Sequence, residues 1–143
     1  MYENILDKYK RKMINSILSS LSKKDIDSAG FVLGKDPKGS IYKDVKIVNN
    51  TPVSFVEVIR GSGNDRKSGY IMTATLKKYR GKGYSKELSN TMLQEFKKNN
   101  KGIKTLYWEC KHDNPGSSSI AKALGFKKAK DFKEEDDNYM YEL

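Results

Sequence analysis

The segment spanning residues 70–110 changes its hydrophobic period twice, and this change constrains the fold more than any other feature. Residues 70–76 form a short run rich in strand-forming residues, and residues 103–110 form another. Between them, apolar side chains recur at the spacing of one face of an amphipathic helix: Tyr84, Leu88, Met92, Leu93 and Phe96. A strand, a helix and a strand in this order predict a crossover connection in the middle of the fold.

The chain before this segment predicts one long helix and two further strands. The helix covers residues 2–21, where an apolar stripe marks the face that we expect to be core: Tyr2, Ile5, Leu6, Tyr9, Met13, Ile14, Ile17, Leu18 and Leu21. Residues 42–48 and 52–59 predict strands, and Asn49-Asn50 predicts a tight turn between them, because asparagine tolerates a positive φ. Three antiparallel strands therefore precede the crossover helix. Residues 28–40 predict a loop that contains one short strand at 31–33.

The chain after the crossover predicts a short helix and a last hairpin. Pro115 suits the first turn of a helix that ends at Gly125. Residues 126–132 and 139–141 can pair around an acidic loop at residues 134–137. No repeat and no linker divides the sequence, so residues 1–143 predict a single α+β domain.

The charge balance favours an anionic partner. The sequence has 28 lysines and arginines against 18 aspartates and glutamates, a net charge of +10. The excess of positive charge suits binding to a phosphorylated cofactor, a nucleic acid or an acidic surface. It is equally explained by surface lysines that only keep the protein soluble. The lysines are spread over every element and aromatic residues do not alternate with them, which argues against a nucleic-acid-binding domain.

Cys110 and His112 are the only cysteine and the only histidine of the sequence. An internal disulfide and a cysteine-based zinc site are therefore excluded, and we expect no metal. Cys110 itself is either an acyl-carrying nucleophile or a small buried strand residue, and the second interpretation is favoured because no His–Asp partner pair accompanies it. The sequence shows no signal-peptide core and no apolar segment long enough to span a bilayer, so we expect a cytoplasmic protein.

The turn Arg80-Gly81-Lys82-Gly83 joins the first strand of the crossover to its helix. The first N–H groups of a helix have no partner within it, and glycines let the backbone curl so that several N–H groups point at one anion. Arg80 and Lys82 add positive charge. The turn is either a seat for a pyrophosphate or a basic turn that only starts a helix. It lacks the P-loop pattern and the third glycine of the dinucleotide-binding fingerprint.

Two motifs in this half of the sequence resemble those of the GNAT superfamily of N-acetyltransferases. The family's acyl-CoA-binding motif, [RQ]-x-x-G-x-[GA], is similar to the stretch around Arg80 and Gly83, with Ser85 in place of glycine or alanine. The second motif, Asn-x-x-[AS] leading to Leu-Gly-Phe, resembles NPGSSSIAKALGF at residues 114–126. One helix and one strand separate the motifs, as in the family. The resemblance covers residues 45–143 and is nearest to ribosomal-protein N-terminal acetyltransferases; the N-terminal part differs, because the family usually opens with a strand.

The resemblance implies a GNAT-like mixed sheet in which acetyl-CoA lies between two splayed parallel strands, 70–76 and 103–110. It implies that the pantetheine arm pairs with the backbone of Ala74, Thr75 and Leu76. The other cofactor contacts that it implies come from the two motifs: Arg80, Gly81, Lys82, Gly83, Tyr84, Ser85, Lys86, Asn114 and Ser117. The implied reaction transfers an acetyl group from acetyl-CoA to a primary amine by direct attack in a ternary complex.

The attacking amine must lose a proton, so a base near the thioester helps. Glu109 is the first candidate, because the ribosomal-protein acetyltransferases carry a similar glutamate at this place. Glu57 is the second candidate, on a strand face that it shares with Phe55 and Ile59. His112 is a third, although a single loop histidine is more often exposed and idle.

The acid that protonates the leaving thiolate is not the family's usual one. Many members carry a tyrosine at the position of Ala121. In relatives with alanine there, the serine that corresponds to Ser117 is a proposed donor, and Tyr139 or Tyr141 can substitute for it. A thiolate whose pKa is near that of cysteine, about 8.5, also leaves readily without an acid.

Several alternatives stay open at this stage. The alanine at position 121 favours a CoA-binding module that does not acetylate, and the net charge of +10 leaves a basic nucleic-acid-binding domain as a lesser alternative. The acceptor is a small-molecule amine or a protein amine. The acidic run at residues 134–137 is either a solvated turn or an attraction for a cationic substrate. The helix 2–21 or the last hairpin can support a homodimer.

Overall fold

The computed structural model describes residues 2–25, 38–112, 114–130, 134 and 136–143. Its helices are α1 (Tyr2–Ser20), α2 (Tyr84–Lys98) and α3 (Pro115–Ala123). Its strands are β1 (Ser40–Val48), β2 (Thr51–Arg60), β3 (Ser68–Thr75), β4 (Thr105–Lys111), β5 (Lys127–Lys128) and β6 (Asp136–Glu142). The predicted order of elements is confirmed for these residues, whereas the short strand predicted at 31–33 lies outside them.

The six strands form one mixed sheet in the order β1-β2-β3-β4-β6-β5. Only the central pair, β3 and β4, is parallel, because α2 connects the two strands as a crossover. All other neighbours are antiparallel. The predicted GNAT-like α+β sheet, with antiparallel strands first and a parallel pair at its centre, is confirmed.

A two-residue turn closes the first hairpin as predicted. Asn49 and Asn50 both have positive φ, 49° and 63°, and Val48 pairs directly with Thr51. Such a turn matches the twist of the two strands that it joins, and asparagine is among the few residues that tolerate it.

Helix α1 covers one face of the sheet with only part of its apolar stripe. Ile14, Ile17 and Leu18 are buried against Phe55 of β2 and Met72 of β3. The prediction that the whole stripe is core is wrong for the first turns, where Ile5, Leu6 and Tyr9 are 53%, 46% and 61% exposed. Helical periodicity shows which side of a helix is apolar, but not where the surface beneath it ends.

The other face carries the larger core, which α2 and α3 cover. The buried side chains of α2 are Leu88, Met92, Leu93 and Phe96, and α3 contributes Ala121. They pack with residues that alternate along the central strands, among them Val56, Val58, Ile71, Leu106 and Trp108. This packing fixes the start of α2 beside the end of β3, where the glycine turn lies.

The end of the chain departs from the prediction. Asp136 and Asp137, predicted in a loop, belong to β6 and pair with Lys111 and Cys110 of β4. Strand positions suit these acids because cations lie across from them: Lys111 Nζ is 3.6 Å from Asp136 Oδ1, and Lys128 Nζ is 2.5 Å from Asp137 Oδ1. The strand predicted at 126–132 is shorter, since β5 covers two residues and 131–133 lie outside the described part of the chain.

Candidate active site

β3 and β4 pair for only part of their length. Their parallel ladder joins Ser68–Ile71 to Thr105–Trp108 and stops there. Within the described residues, the rest of β3 pairs only with β2, and the rest of β4 only with β6. The carboxyl ends of the two strands therefore separate, as expected, and no described strand covers the edge of β3 that faces β4 there. An extended ligand can hydrogen-bond to such an edge as an added strand.

The glycine turn lies at this carboxyl end, between β3 and α2. Gly81 and Gly83 have φ values of +79° and +80°, which glycine adopts without strain. A Cβ added at either position would meet no described atom within 4 Å, so the surface of the turn is open. Gly83 caps α2 without a side-chain hydrogen bond, and the helix dipole favours an anion at the N–H groups of this end.

Arg80 turns back from the glycine turn toward β3. Its Nε donates to the carbonyl oxygen of Thr75 at 2.9 Å. Its Nη1 and Nη2 lie 3.3 and 3.0 Å from Oδ1 and Oδ2 of Asp25. The hydrogen bond from Arg80 lowers the pKa of the Asp25 carboxyl, more than partial burial raises it. The guanidinium is therefore held between a strand end and a carboxylate that follows α1.

The remaining cationic and aromatic residues of the first motif surround the turn. Lys82 and Lys86 are exposed, and the Lys82 ammonium lies 6.0 Å from the centre of the Tyr79 ring. Lys46 of β1 lies 5.4 Å from the centre of the Tyr84 ring. The turn therefore carries its positive charge at the surface, where an anionic ligand would meet it.

Ser85, which stands where the family has glycine or alanine, turns its hydroxyl toward the sheet. Its Oγ lies 2.8 Å from Thr75 Oγ1, 3.2 Å from Thr73 Oγ1 and 3.5 Å from Ser54 Oγ. These four hydroxyl groups join the first turn of α2 to β2 and β3. A contact of Ser85 with a pyrophosphate would therefore use its backbone N–H, which lies in the first turn of the helix.

Asn114 and Ser117 follow the carboxyl end of β4. Asn114 caps α3, since its Oδ1 accepts the N–H of Ser117 at 3.3 Å. The indole Nε1 of Trp108 donates to Ser117 Oγ at 2.8 Å. Because the serine oxygen accepts this bond, its own proton is available to be donated in another direction. Ala121, at the family's usual tyrosine position, is fully buried in the core cluster that includes Trp108.

Glu57 is a fully buried carboxylate on the α1 face of β2. Arg11 of α1 binds both of its oxygens: Nη1 lies 3.1 Å from Oε1, and Nη2 contacts Oε2. Ser40 Oγ donates to Oε2 at 2.5 Å. These bonds occupy the lone pairs that a general base would use, and they join α1 to the sheet.

Glu109 is the first residue of β4 beyond the parallel ladder, whose last pair is Ile71 with Trp108. It lies opposite Asn138 of β6 and is partly exposed. Side chains alternate along a strand, so Glu109 lies on the face of the sheet opposite Trp108. The structure therefore places this carboxylate where the two central strands begin to separate.

Cys110 is buried, and its thiol is a poor nucleophile. Burial raises the pKa of the Cys110 thiol to about 11, against a smaller lowering by a hydrogen bond with Ser117. The thiolate is the reactive form of cysteine, and it is scarce at neutral pH when the pKa is this high. The interpretation of Cys110 as a small buried strand residue is confirmed.

The sequence profile of the Acetyltransferase (GNAT) family matches residues 5–126. The chain belongs to the GNAT acetyltransferase family. It is an acyltransferase that takes its acetyl group from acetyl-CoA and passes it to an amine. No protein of curated function matched its sequence.

Solved structures with the same fold include several acetyltransferases. The GNAT domain of S. lividans PAT superposes with a TM-score of 0.70 and 10% identity, over 94% of this chain and 85% of that chain. Ribosomal-protein-alanine N-acetyltransferase from Brucella melitensis gives 0.59 and 16%, over 69% and 67%. The structure of yncA from Salmonella typhimurium with its cofactor acetyl-CoA gives 0.57 and 15%, over 66% and 60%. At sequence identities of 10–16%, these structural similarities show the fold of this chain.

The two tyrosines considered as general acids of this acetyltransferase belong to β6, and they pair with different positions of β4. Tyr139 pairs with Trp108, where the parallel ladder stops, and Tyr141 pairs with Leu106, inside the ladder. Tyr139 is buried, and the Lys128 ammonium lies 5.3 Å from the centre of its ring. Of the two, Tyr139 is the one at the point where the strands separate.

His112 and the acidic run pair with each other beyond the end of β4. His112 Nδ1 lies 2.9 Å from Asp137 Oδ1, and its Nε2 lies 2.6 Å from the carbonyl oxygen of Glu134. Hydrogen bonds from Lys128 and then from His112 lower the pKa of Asp137. Asp136 is 1% exposed. These two aspartates are thus paired within the protein rather than displayed toward a cationic substrate.

Two residues of the site were not predicted from the sequence, namely Asp25 and Trp108. Asp25 reaches Arg80 across 55 positions of the chain, and no local pattern links them. Trp108 resembles any core aromatic residue in a strand, and only the structure shows that its N–H donates to Ser117.

In the described residues, no group of three His, Cys, Asp or Glu side chains is arranged to hold a metal ion. No helix described here is long and apolar enough to cross a membrane.

Proposed function

We propose that the separated ends of β3 and β4, together with the glycine turn, form the acetyl-CoA site. The pantetheine arm pairs with the backbone of Ala74, Thr75 and Leu76, and the pyrophosphate accepts from N–H groups of residues 81–86. One observation carries this proposal: the parallel ladder stops where β3 still has four residues to run before the turn that opens α2. A strand edge that no described strand covers thus leads directly to an anion-binding helix end.

The proposed reaction is a direct transfer in a ternary complex. The lone pair of the amine nitrogen attacks the thioester carbonyl carbon, the N–C bond forms, and the C–S bond breaks to release the CoA thiolate. Glu109 takes the proton of the amine, because it lies where the strands separate. Glu57 is the second candidate, supported by its burial beside the same sheet centre but held by Arg11 and Ser40.

Ser117 is the proposed donor to the leaving sulfur. Trp108 Nε1 already donates to its oxygen, which leaves the serine proton to point elsewhere and strengthens it as a donor. In the free protein a hydrogen bond with this hydroxyl lowers the pKa of the buried Cys110 thiol, so the serine must turn from that sulfur to the sulfur of the cofactor. Tyr139 is the alternative donor.

Replacing Ser117 by alanine should lower kcat by only about tenfold, since the thiolate is itself a good leaving group. Thiol release would be followed with the amine that a substrate panel identifies. Ser119→Ala is the matched control, because Ser119 is exposed on the same helix. Equal rates for Ser117→Ala and wild type at every pH would remove Ser117 from the mechanism and direct attention to Tyr139.

The acceptor is a primary amine of a small molecule or of a protein. The neighbour from Brucella melitensis is a ribosomal-protein-alanine N-acetyltransferase, which supports testing a protein N-terminus beside small amines. The panel should therefore contain polyamines, amino acids, lysine peptides and alanine-starting peptides. Release of CoA thiol above the hydrolysis background identifies the class.

We also infer a cytoplasmic location, supported by the single unpaired cysteine, and a homodimer, supported by the exposed Ile5, Leu6 and Tyr9 of α1. Fractionation of cells tests the location. The mass in solution tests the dimer: Tyr9→Lys should shift it toward the monomer, and a wild-type protein that is monomeric at high concentration would contradict it.

Calorimetric titration of acetyl-CoA tests the proposed site. Wild type should bind, and an Arg80→Ala, Gly83→Asp double variant should not, because it removes a cation, adds an anion and places a side chain at a positive φ. Lys12→Ala, on the exposed face of α1, is a control for charge loss. If neither protein binds acetyl-CoA, the glycine turn only starts α2 and is not a pyrophosphate site. Binding without turnover of any amine would instead indicate a CoA-binding module.

A further inference from the structure

Arg80 offers its bidentate edge to a carboxylate of the same chain. Nη1 and Nη2 face Oδ1 and Oδ2 of Asp25 at 3.3 and 3.0 Å, while Nε is occupied by the Thr75 carbonyl. This parallel pair of bonds is the geometry that arginine also uses for phosphate oxygens. The guanidinium carries no second edge of this kind, since the edge that includes Nε already holds Thr75.

The segment that carries Arg80 is strongly cationic. Lys77, Lys78 and Lys82 accompany Arg80 in the segment that joins β3 to α2. The ammonium groups of Lys78 and Lys82 lie 5.9 and 6.0 Å from the centre of the Tyr79 ring. Asp25 is itself only 26% exposed in its side chain, and its lowered pKa keeps it ionised at neutral pH. It therefore neutralises one charge of a site expected to bind an anion.

We propose that Asp25 is an internal competitor for the pyrophosphate at Arg80 and so sets the affinity of the enzyme for CoA. This inference rests on the proposed cofactor site. The carboxylate takes the place of phosphate oxygens in the free protein, and the cofactor must displace it to use the same edge of Arg80. Residues 23–25 form a short helical turn beyond α1, so displacement of Asp25 would couple cofactor binding to this turn.

The inference predicts that breaking the salt bridge between Asp25 and Arg80 strengthens CoA binding. Asp25→Asn keeps the size of the side chain but removes the competing charge, and it should raise CoA affinity about two- to fivefold at low salt, the range expected for a partly exposed ion pair. The gain should shrink as salt screens the pair in the wild type. It should vanish in an Arg80→Ala background, because there is then no guanidinium to release.

Glu87→Gln is the matched control. Glu87 lies in the first turn of α2, close to the same anion site, but its Oε1 pairs with Lys46 at 3.1 Å rather than with Arg80. Its removal reports the general effect of one negative charge less, and this effect should be the same with and without Arg80. Circular dichroism and the melting temperature would show that each variant is folded.

Calorimetry with CoA separates the outcomes. A gain for Asp25→Asn that exceeds the gain for Glu87→Gln and depends on Arg80 supports the inference. Equal gains for both variants, no gain, or weaker binding by Asp25→Asn would overturn it while leaving the cofactor site intact; weaker binding would mean that Asp25 orients Arg80 for the cofactor. Failure of the wild type to bind CoA would overturn the proposed site together with this inference.

Discussion

Replacing Arg11 by methionine is expected to lower the free energy of unfolding by about 3–5 kcal/mol, the cost of leaving a buried charge without its partner. Glu57 is 0% exposed and Arg11 only 14%, so water cannot take over the role of the guanidinium. Among the described residues, Ser40 alone would remain as a donor to the carboxylate. For a chain of 143 residues this loss corresponds to a fall in melting temperature of roughly 10–17 °C.

Urea unfolding of Arg11→Met and of Lys10→Met provides the comparison. Lys10 precedes Arg11 on α1 and pairs with Asp44 at 3.9 Å, but both side chains are about a third exposed, at 37% and 32%. Its loss should therefore cost less than about 1 kcal/mol. Adding Glu57→Leu to Arg11→Met should recover part of the stability, because it removes the stranded charge. Equal stabilities for the two single variants would contradict the structural role assigned to the pair.

Replacing Glu109 by glutamine is expected to lower kcat by about 10²–10⁴ at neutral pH, the range of general base catalysis. The amide keeps the size of the side chain but cannot accept a proton from the amine. The defect should become smaller at high pH, where more of the amine is already deprotonated. CoA affinity should be unchanged, since the proposed cofactor contacts come from β3, the glycine turn and α3.

Glu142→Gln is the control for this variant. Glu142 lies on the same face of the sheet, opposite Thr105 at the other end of β4, and its Oε2 accepts from Thr105 Oγ1 at 3.2 Å. Its loss should leave the rate within about twofold, as for a surface carboxylate away from the chemistry. A Glu109→Gln enzyme with the wild-type rate and pH profile would mean that the base lies elsewhere, and Glu57 and His112 would be the next variants to test.

Local patterns were sufficient to predict the elements and their order. The Asn49-Asn50 turn, the helix after Gly83 and the helix that Asn114 begins all depend on residues near each other in the chain. Local patterns could not show the limits of packing. The apolar stripe of α1 continues through Tyr9, yet burial begins only where Phe55 and Met72 lie beneath the helix. Likewise, Asp136 suits a strand only because Lys111 lies across from it.

The candidate site likewise has features that the sequence could predict and features that it could not. The glycine turn and the asparagine cap could be predicted because their roles follow from backbone geometry within a few residues. The hydroxyl cluster of Ser85 joins two strands to a helix, and the Arg80 bond to Asp25 spans 55 residues. Such contacts arise from the tertiary fold, so a single sequence gives no sign of them.

The bond between Trp108 and Ser117 gives this enzyme a built-in optical probe. Trp108 is the only tryptophan of the sequence, so tryptophan emission comes from one indole whose N–H is held 2.8 Å from Ser117. That indole is almost completely shielded from water, at 2% exposure. A change in its emission on addition of a ligand therefore reports on the surroundings of this one indole, which include the start of α3 and the ring of Phe126, and no label needs to be attached to follow binding in real time.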